Sequence, residues 1–204
     1  MFDPDLADML IGMPDEVFQA SKRAIKGIDP FMKDADLDIR FRNVSNEVPL
    51  KDLTSFRMGE FVKVRGIVSK VEKPFVRMDI ALFECRGCMR LHEVEQQSNT
   101  KIMEPSICSE CGGRSFRLLQ NQSKFEDIQH AILREILNDE SSRAEPIEIL
   151  IVLEGDLIRE LRKKDIVDLT GTLRTFRKGN GFINYLYVNN IEFIYKWGID
   201  LEDK

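Results

Sequence analysis

Apolar positions change their spacing near residue 38, and that change divides the chain. From Pro14, the positions Val17, Ala20, Ser21, Ala24, Ile25 and Ile28 recur at intervals of three and four, which predicts an amphipathic helix. Asp15 and Glu16 stand in its first turn and Lys22, Arg23 and Lys26 in its last, as the helix dipole favours, with Gly27 as a stop and Pro30 as a break. Leu6, Met9 and Leu10 predict a shorter helix before it, and Phe31 is placed to staple the exit. From Asp38 onward short alternating segments take over. Ile39 and Phe41 alternate with Arg40 and Arg42, and a β-rich run from Phe61 to Val71 surrounds Gly66, where a bulge or sharp bend is expected. Further strands are predicted near 78–84, 115–119, 147–153, 166–176 and 182–194, with a brief polar helix over 155–162. The expected class is mainly β with a helical subdomain, and the short strands suit a small barrel better than a parallel sheet.

The 204 residues are 43% hydrophobic and 32% charged, enough apolar mass for a real core, so pervasive disorder is excluded. There is no apolar run of about 18 residues, and the opening Met1, Phe2, Asp3, Pro4 and Asp5 lacks the basic and then apolar character of a signal peptide. The expectation is an intracellular, cytoplasmic protein with no membrane partner. The 30 Lys plus Arg face 35 Asp plus Glu, a formal charge of -5, so a nucleic-acid site has to be a local basic patch.

Four cysteines supply the sharpest motif. Cys85, Cys88, Cys108 and Cys111 read C-x2-C-x19-C-x2-C, a four-cysteine zinc spacing. Two residues between thiolates let each pair grip one edge of a tetrahedron, and turns at Arg86, Gly87 and at Ser109, Glu110 present backbone amides to the sulfurs. With all four positions filled, no place is left for a reactive water, so one structural zinc is expected rather than a catalytic one. Two disulfides or inert buried thiols are the alternatives, disfavoured in a reducing compartment. His92 is either a surface residue on the strand leaving the first knuckle or a substitute ligand.

Between Leu169 and Ile191 there is no acidic residue, yet Arg174, Arg177 and Lys178 crowd the start of a turn. Residues 174–184 (RTFRKGNGFIN) predict a hairpin tipped by Gly179, Asn180 and Gly181, with Phe176 and Phe182 on its arms. Such a hairpin can meet phosphates with its cations and bases with its rings, or it can be an ordinary solvated hairpin. Arg162, Lys163 and Lys164, diluted by Asp165 and Asp168, read as a solvated helix end. No P-loop, dinucleotide fingerprint or H-E-x-x-H occurs, and His92 and His130 are isolated, so the chain is not expected to be an enzyme.

Residues 39–44 (IRFRNV), 48–53 (VPLKDL) and 64–68 (VRGIV) ahead of the first knuckle resemble the N-terminal region of archaeal minichromosome maintenance (MCM) proteins. The similarity continues in order through 125–129 (FEDIQ) with Glu135, then 147–153, Asp156 with Leu157, and 165–171 (DIVDLTG). The resemblance implies a helical bundle over 1–38, an OB-fold barrel in two parts over 39–84 and 120–194, an inserted four-cysteine zinc module over 85–119, and a tail over 195–204. It implies a ring, hexameric or double-hexameric, encircling DNA in a replicative helicase, with Arg174, Arg177 and Lys178 on a hairpin in the channel. Arg65 or Lys70 on the first strand correspond most nearly to the family's single-strand contacts. Ile132 stands where a companion cation is expected, leaving His130 and Arg134 as its neighbours. The family's ATPase module has no counterpart here, which implies a truncation or an ATPase-lacking relative that does not unwind DNA alone. The rival reading is a zinc-ribbon OB factor that binds RNA or single strands.

Overall fold

The computed structural model describes residues 4–28, 30–32, 37–96, 102–136 and 145–198. The expected tail beyond residue 198 and the middle of the inter-cysteine stretch, 97–101, lie outside the described residues. Two compact units divide the chain: Met1–Lys73 with Gln129–Lys204, and Pro74–Ile128.

In the first unit, α1 (Pro4–Gly12) and α2 (Pro14–Ile28) form the helical region. Only the first part of the α2 stripe is used: Val17 is buried and Phe18 partly so, whereas Ile25 and Ile28 are exposed, and Phe31, expected to staple the exit, is 94% exposed. The helices pack on Phe61, the first residue of β1 (Phe61–Val71), and the rings of Phe18, Phe41 and Phe61 meet edge to face at centroid distances of 5.2 to 6.2 Å. Val62, Val64 and Val68 of the same strand face the other way, into a core with Leu133, Ile151, Leu153, Leu169, Leu173 and Leu186. One strand thus joins helices on one face to the sheet core on the other, as a period of two allows.

The remaining strands are β2 (Phe75–Cys85), β3 (Leu91–Glu95), β4 (Phe116–Leu118), β5 (Lys124–Arg134), β6 (Glu148–Glu154), β7 (Ile166–Lys178) and β8 (Gly181–Tyr195). Hydrogen bonding traces the order β1-β7-β8-β6-β5-β2-β3, with β4 on β2 and a further β1–β5 pairing; β5 contributes residues to both units. The barrel expectation needs correction. The strands belong to an eight-stranded mixed sheet, not a barrel, and with the helical N-terminal region the class is mixed α/β. The reason is physical. Four strands after β1 run 11 to 15 residues rather than being short, and β6 joins β8 in parallel, Leu150 opposite Tyr185, a non-local pairing that local alternation does not announce. The helix expected over 155–162 is a single 3-10 turn, Gly155–Leu157.

Two glycines are required by close approach. A Cβ on Gly66 would sit 2.7 Å from both the Arg134 carbonyl oxygen and Leu133 Cγ, so the strand crosses β5 where a side chain cannot fit. The β1–β7 register runs unbroken through Gly66, and the irregularity in β1 falls between Val68 and Lys70. At Gly171, beside the β7–β8 bulge, a Cβ would meet the Tyr187 carbonyl oxygen at 2.2 Å.

Candidate metal centre and basic hairpin

The four cysteines lie in the second unit. Strand β2 ends at Cys85, and β3 and β4 pair with it on either side, so the knuckle is built on paired backbone. The turn closes when the Met89 amide donates to the Cys85 carbonyl at 2.9 Å, with Met89 itself in the left-handed region at φ 61°. In the second knuckle the Gly112 amide donates to the Cys108 carbonyl at 3.0 Å, and Gly112 takes φ 70° without a Cβ penalty. The Sγ atoms of Cys85 and Cys111 are 3.6 Å apart, those of Cys88 and Cys108 3.5 Å, and all four lie within 4.8 Å of one another. Metal–sulfur bonds of about 2.3 Å around a tetrahedron give sulfur separations of about 3.8 Å, so the set fits a metal ion. All four thiols are free. Space is reserved for the sulfurs: a Cβ on Gly113 would come within 3.2 Å of Cys111 Sγ, and one on Gly87 within 3.4 Å.

Backbone donors make the cluster ready for negative charge. The Cys88 and Gly87 amides beside Cys85 pull its thiol down to about 7. Cys108 is also lowered, by the Cys111 and Glu110 amides and by His92. At Cys88 the Arg90 amide pulls down, but thiol contact with Cys111 and desolvation win and push it up to about 12. His92 is on β3, with Nε2 3.3 Å from Cys108 Sγ and its ring edge to face with Phe116.

In the first unit β7 and β8 pair from Ile166 opposite Tyr195 to Lys178 opposite Gly181, leaving Gly179 and Asn180 as a two-residue loop. Gly179 has φ 61°, as the first central position of a II′ turn requires. Arg177 and Lys178 are exposed at the tip, and among the described residues neither makes an ion pair; the Arg177 Nε donates to the Gly179 carbonyl at 3.2 Å. Arg177 stands opposite Phe182, which is 72% exposed. Phe176 turns to the other face and meets Tyr185 at 5.7 Å. Arg174 is not at the tip. Its Nη2 donates to Asp15 Oδ1 of α2 at 2.6 Å, its guanidinium covers the Tyr187 ring at 4.6 Å, and the Tyr187 hydroxyl donates to Glu154. These groups line a cleft of about 200 Å³.

The other sequence candidates are scattered. Arg65 forks onto Asp168, Nε to Oδ1 at 2.7 Å and Nη2 to Oδ2 at 2.8 Å, and Lys63 reaches the same carboxylate at 2.9 Å. Lys70 pairs with Glu72 at 2.7 Å, and His130 Nδ1 lies 3.8 Å from the same Glu72. Arg134 is exposed at the end of β5. Sequence reasoning missed the Asp168 and Asp15 carboxylates as partners of these cations. An Asp between Val167 and Leu169, inside a buried run, was the available signal for the first; nothing local marks the second.

The MCM OB domain family matches residues 49–177. The chain is 25% identical over 206 residues to DNA replication licensing factor MCM4 of Drosophila melanogaster, covering 98% of this chain and 23% of that protein. It is 29% identical over 153 residues to the minichromosome maintenance protein MCM of Saccharolobus solfataricus, covering 72% of this chain and 22% of that protein. It therefore spans about a quarter or less of the length of these curated relatives. Among solved structures it is similar to the 1.8 Å crystal structure of the N-terminal domain of an archaeal MCM, at a TM-score of 0.73 and 28% identity over 91% of this chain and 79% of that one. No described helix is long and apolar enough to cross a membrane. The chain belongs to the MCM OB domain family, and its likeness among solved structures is to the N-terminal domain of an archaeal MCM.

Proposed function

We propose that this chain binds DNA and assembles into the ring-shaped N-terminal tier of a replicative MCM helicase, with one structural zinc in the four-cysteine cluster. The observation that carries the reading is the pair of exposed, ion-pair-free tip cations, Arg177 and Lys178, within the acid-free stretch from Leu169 to Ile191 of the hairpin, in a chain of net charge -5. A phosphate strand finds attraction there and repulsion over much of the remaining surface. Two cations per chain make a weak site. Six copies around one DNA segment bring about twelve to a common channel, and effective concentration turns weak contacts into avidity. Arg134 is a second available contact, whereas Arg65, Lys70 and Arg174 each carry an acidic partner that DNA has to displace, and His130 lies near one in Glu72.

Zinc suits four thiolates, and when bound it holds the two knuckles together without apolar burial. Cys85, Cys88, Cys108 and Cys111 hold it.

The test is DNA affinity across salt, by fluorescence anisotropy on a single-stranded oligonucleotide, for the full chain and for Arg177→Ala with Lys178→Ala. The double variant should bind more weakly to all sequences alike, its salt slope falling by about 1.4 for each subunit engaged, at roughly 0.7 per phosphate neutralised on a single strand. Unchanged affinity and slope at low salt overturn the reading, as does a wild-type affinity identical in monomeric and oligomeric fractions at equal subunit concentration.

A further inference from the structure

Four thiolates around a divalent ion leave a net charge of -2 on a half-buried cluster, and such charge needs hydrogen-bond donors. The backbone supplies most of them. Gly87 donates to Cys85 Sγ at 3.4 Å, and the Cys111 and Glu110 amides are directed at Cys108. Cys108 is 2% exposed, so water cannot complete its shell. The one side chain besides the cysteines that the described residues bring to this sulfur is His92, with Nε2 3.3 Å from it.

His92 is held from two directions. In the β2–β3 register it stands opposite Phe83, which is buried, and its ring and that of Phe116 meet edge to face at 5.4 Å and an interplanar angle of 89°. It touches Cys108 but does not join the set of donor atoms that all lie within 4.8 Å of one another, so it stands outside the four-sulfur set. We propose that His92 is a positioning residue for the metal centre: its Nε2–H donates to the Cys108 thiolate, disperses charge from that sulfur and slows metal loss, without ligating the metal itself. The proposal rests on the zinc reading above. A neutral imidazole with the proton on Nε2 can donate in this way, leaving Nδ1 as the acceptor. Unlike the backbone amides, this donor can be removed by substitution.

The test uses the full zinc-loaded chain. His92→Phe keeps an aromatic ring against Phe116 and loses the N–H; His92→Gln keeps an N–H donor. Release of zinc to a chromogenic chelator should be about 10 to 100 times faster in His92→Phe, the usual effect of losing a partner that orients a metal ligand, with His92→Gln closer to wild type. Cobalt(II) in place of zinc should report four thiolates in the wild type and in both variants. Equal release rates for His92→Phe and wild type overturn the proposal, and so does a cobalt spectrum of three thiolates and one nitrogen in the wild type, which would make His92 a ligand. Should His92→Phe fail to fold, the wild type loaded with cadmium-113 decides the matter: NMR coupling between the metal and the His92 Nε2 proton is expected, and its absence refutes the hydrogen bond. A wild-type chain that takes up no zinc refutes the zinc reading itself and is told apart by metal analysis alone.

Discussion

Asp168→Asn tests how the sheet holds its cations. The carboxylate sits on β7 opposite Arg65 of β1, its side chain 6% exposed, and accepts from Arg65 at 2.7 and 2.8 Å and from Lys63 at 2.9 Å. The two cations hold Asp168 below the ordinary carboxylate range, with Arg65 the larger cause, and Asp168 raises both Lys63 and Arg65. Asparagine keeps the shape and removes the charge. The Arg65 guanidinium is half exposed, which limits its share to about 1 kcal/mol, whereas Lys63 is shielded and its charge-assisted bond is worth about 1.5 kcal/mol. A loss of about 2 to 3 kcal/mol is expected at pH 7, or a midpoint lower by roughly 5 to 10 °C for a chain of this size. A lowered carboxylate contributes stability above its unfolded pKa and loses it as pH falls through the folded value. The gap between parent and variant should therefore shrink in acid below about pH 4. A raised lysine contributes fully below its unfolded value and loses that contribution only as pH rises through the folded one, so the gap should be flat between about pH 5 and 9. Thermal and urea unfolding followed by circular dichroism at pH 7 and pH 3 reads both. A variant within about 0.5 kcal/mol of the parent at pH 7, or a gap undiminished in acid, refutes the reasoning.

Gly171→Ala should be among the costliest single-methyl additions, roughly 3 kcal/mol or more, because the new Cβ meets backbone rather than a movable side chain. Gly27→Ala in α2 has nothing within 4 Å and should stabilise by about 0.5 to 1 kcal/mol; urea midpoints compare the two, and equal effects would refute the close-approach argument. Phe61→Ala removes the ring joining the helices to β1 and should cost about 3 to 5 kcal/mol, with α1 and α2 becoming the first segment cut in limited proteolysis.

Local features were legible in the sequence. The start of α2 follows from Pro14 with Asp15 and Glu16 in its first turn, while its end runs one residue past Gly27, and the β7–β8 hairpin follows from two alternating arms around a Gly-Asn-Gly tip. The cysteine cluster was fixed by spacing alone, because metal geometry is short-range. Pairing was not legible. Strand β5 carries Glu126, Asp127, Gln129 and His130 among its apolar residues, so its alternation is blurred, and β3 has only Leu91 and Val94 to mark it. Strand β5 was missed and β3 was anticipated only as the strand that leaves the first knuckle with His92, and the sheet class depends on what they pair with. The barrel expectation failed there, at the non-local step, while the elements it was built from largely stood.

The same distinction governs which cations DNA can reach. Composition counts Arg65, Lys70, Arg174, Arg177 and Lys178 alike, but register and packing do not treat them alike. Arg65 and Asp168 are 103 residues apart and Arg174 and Asp15 159 apart, yet each pair is closed by the fold. A cation already bound to a carboxylate releases its partner before it meets a phosphate, and its net gain shrinks by that exchange. The acid-free stretch from Leu169 to Ile191 protects the tip from this within its own strands, and the α2 carboxylate Asp15 reaches the hairpin at Arg174. Arg177 and Lys178 lie beyond that reach, next to a two-residue loop that holds no charge. Their availability is thus a consequence of where the hairpin ends and the helix stops. Lengthening the hairpin would add reach, while moving an acidic residue to position 175 or 184, opposite each other in the ladder below the tip, would cancel the charge that the site depends on.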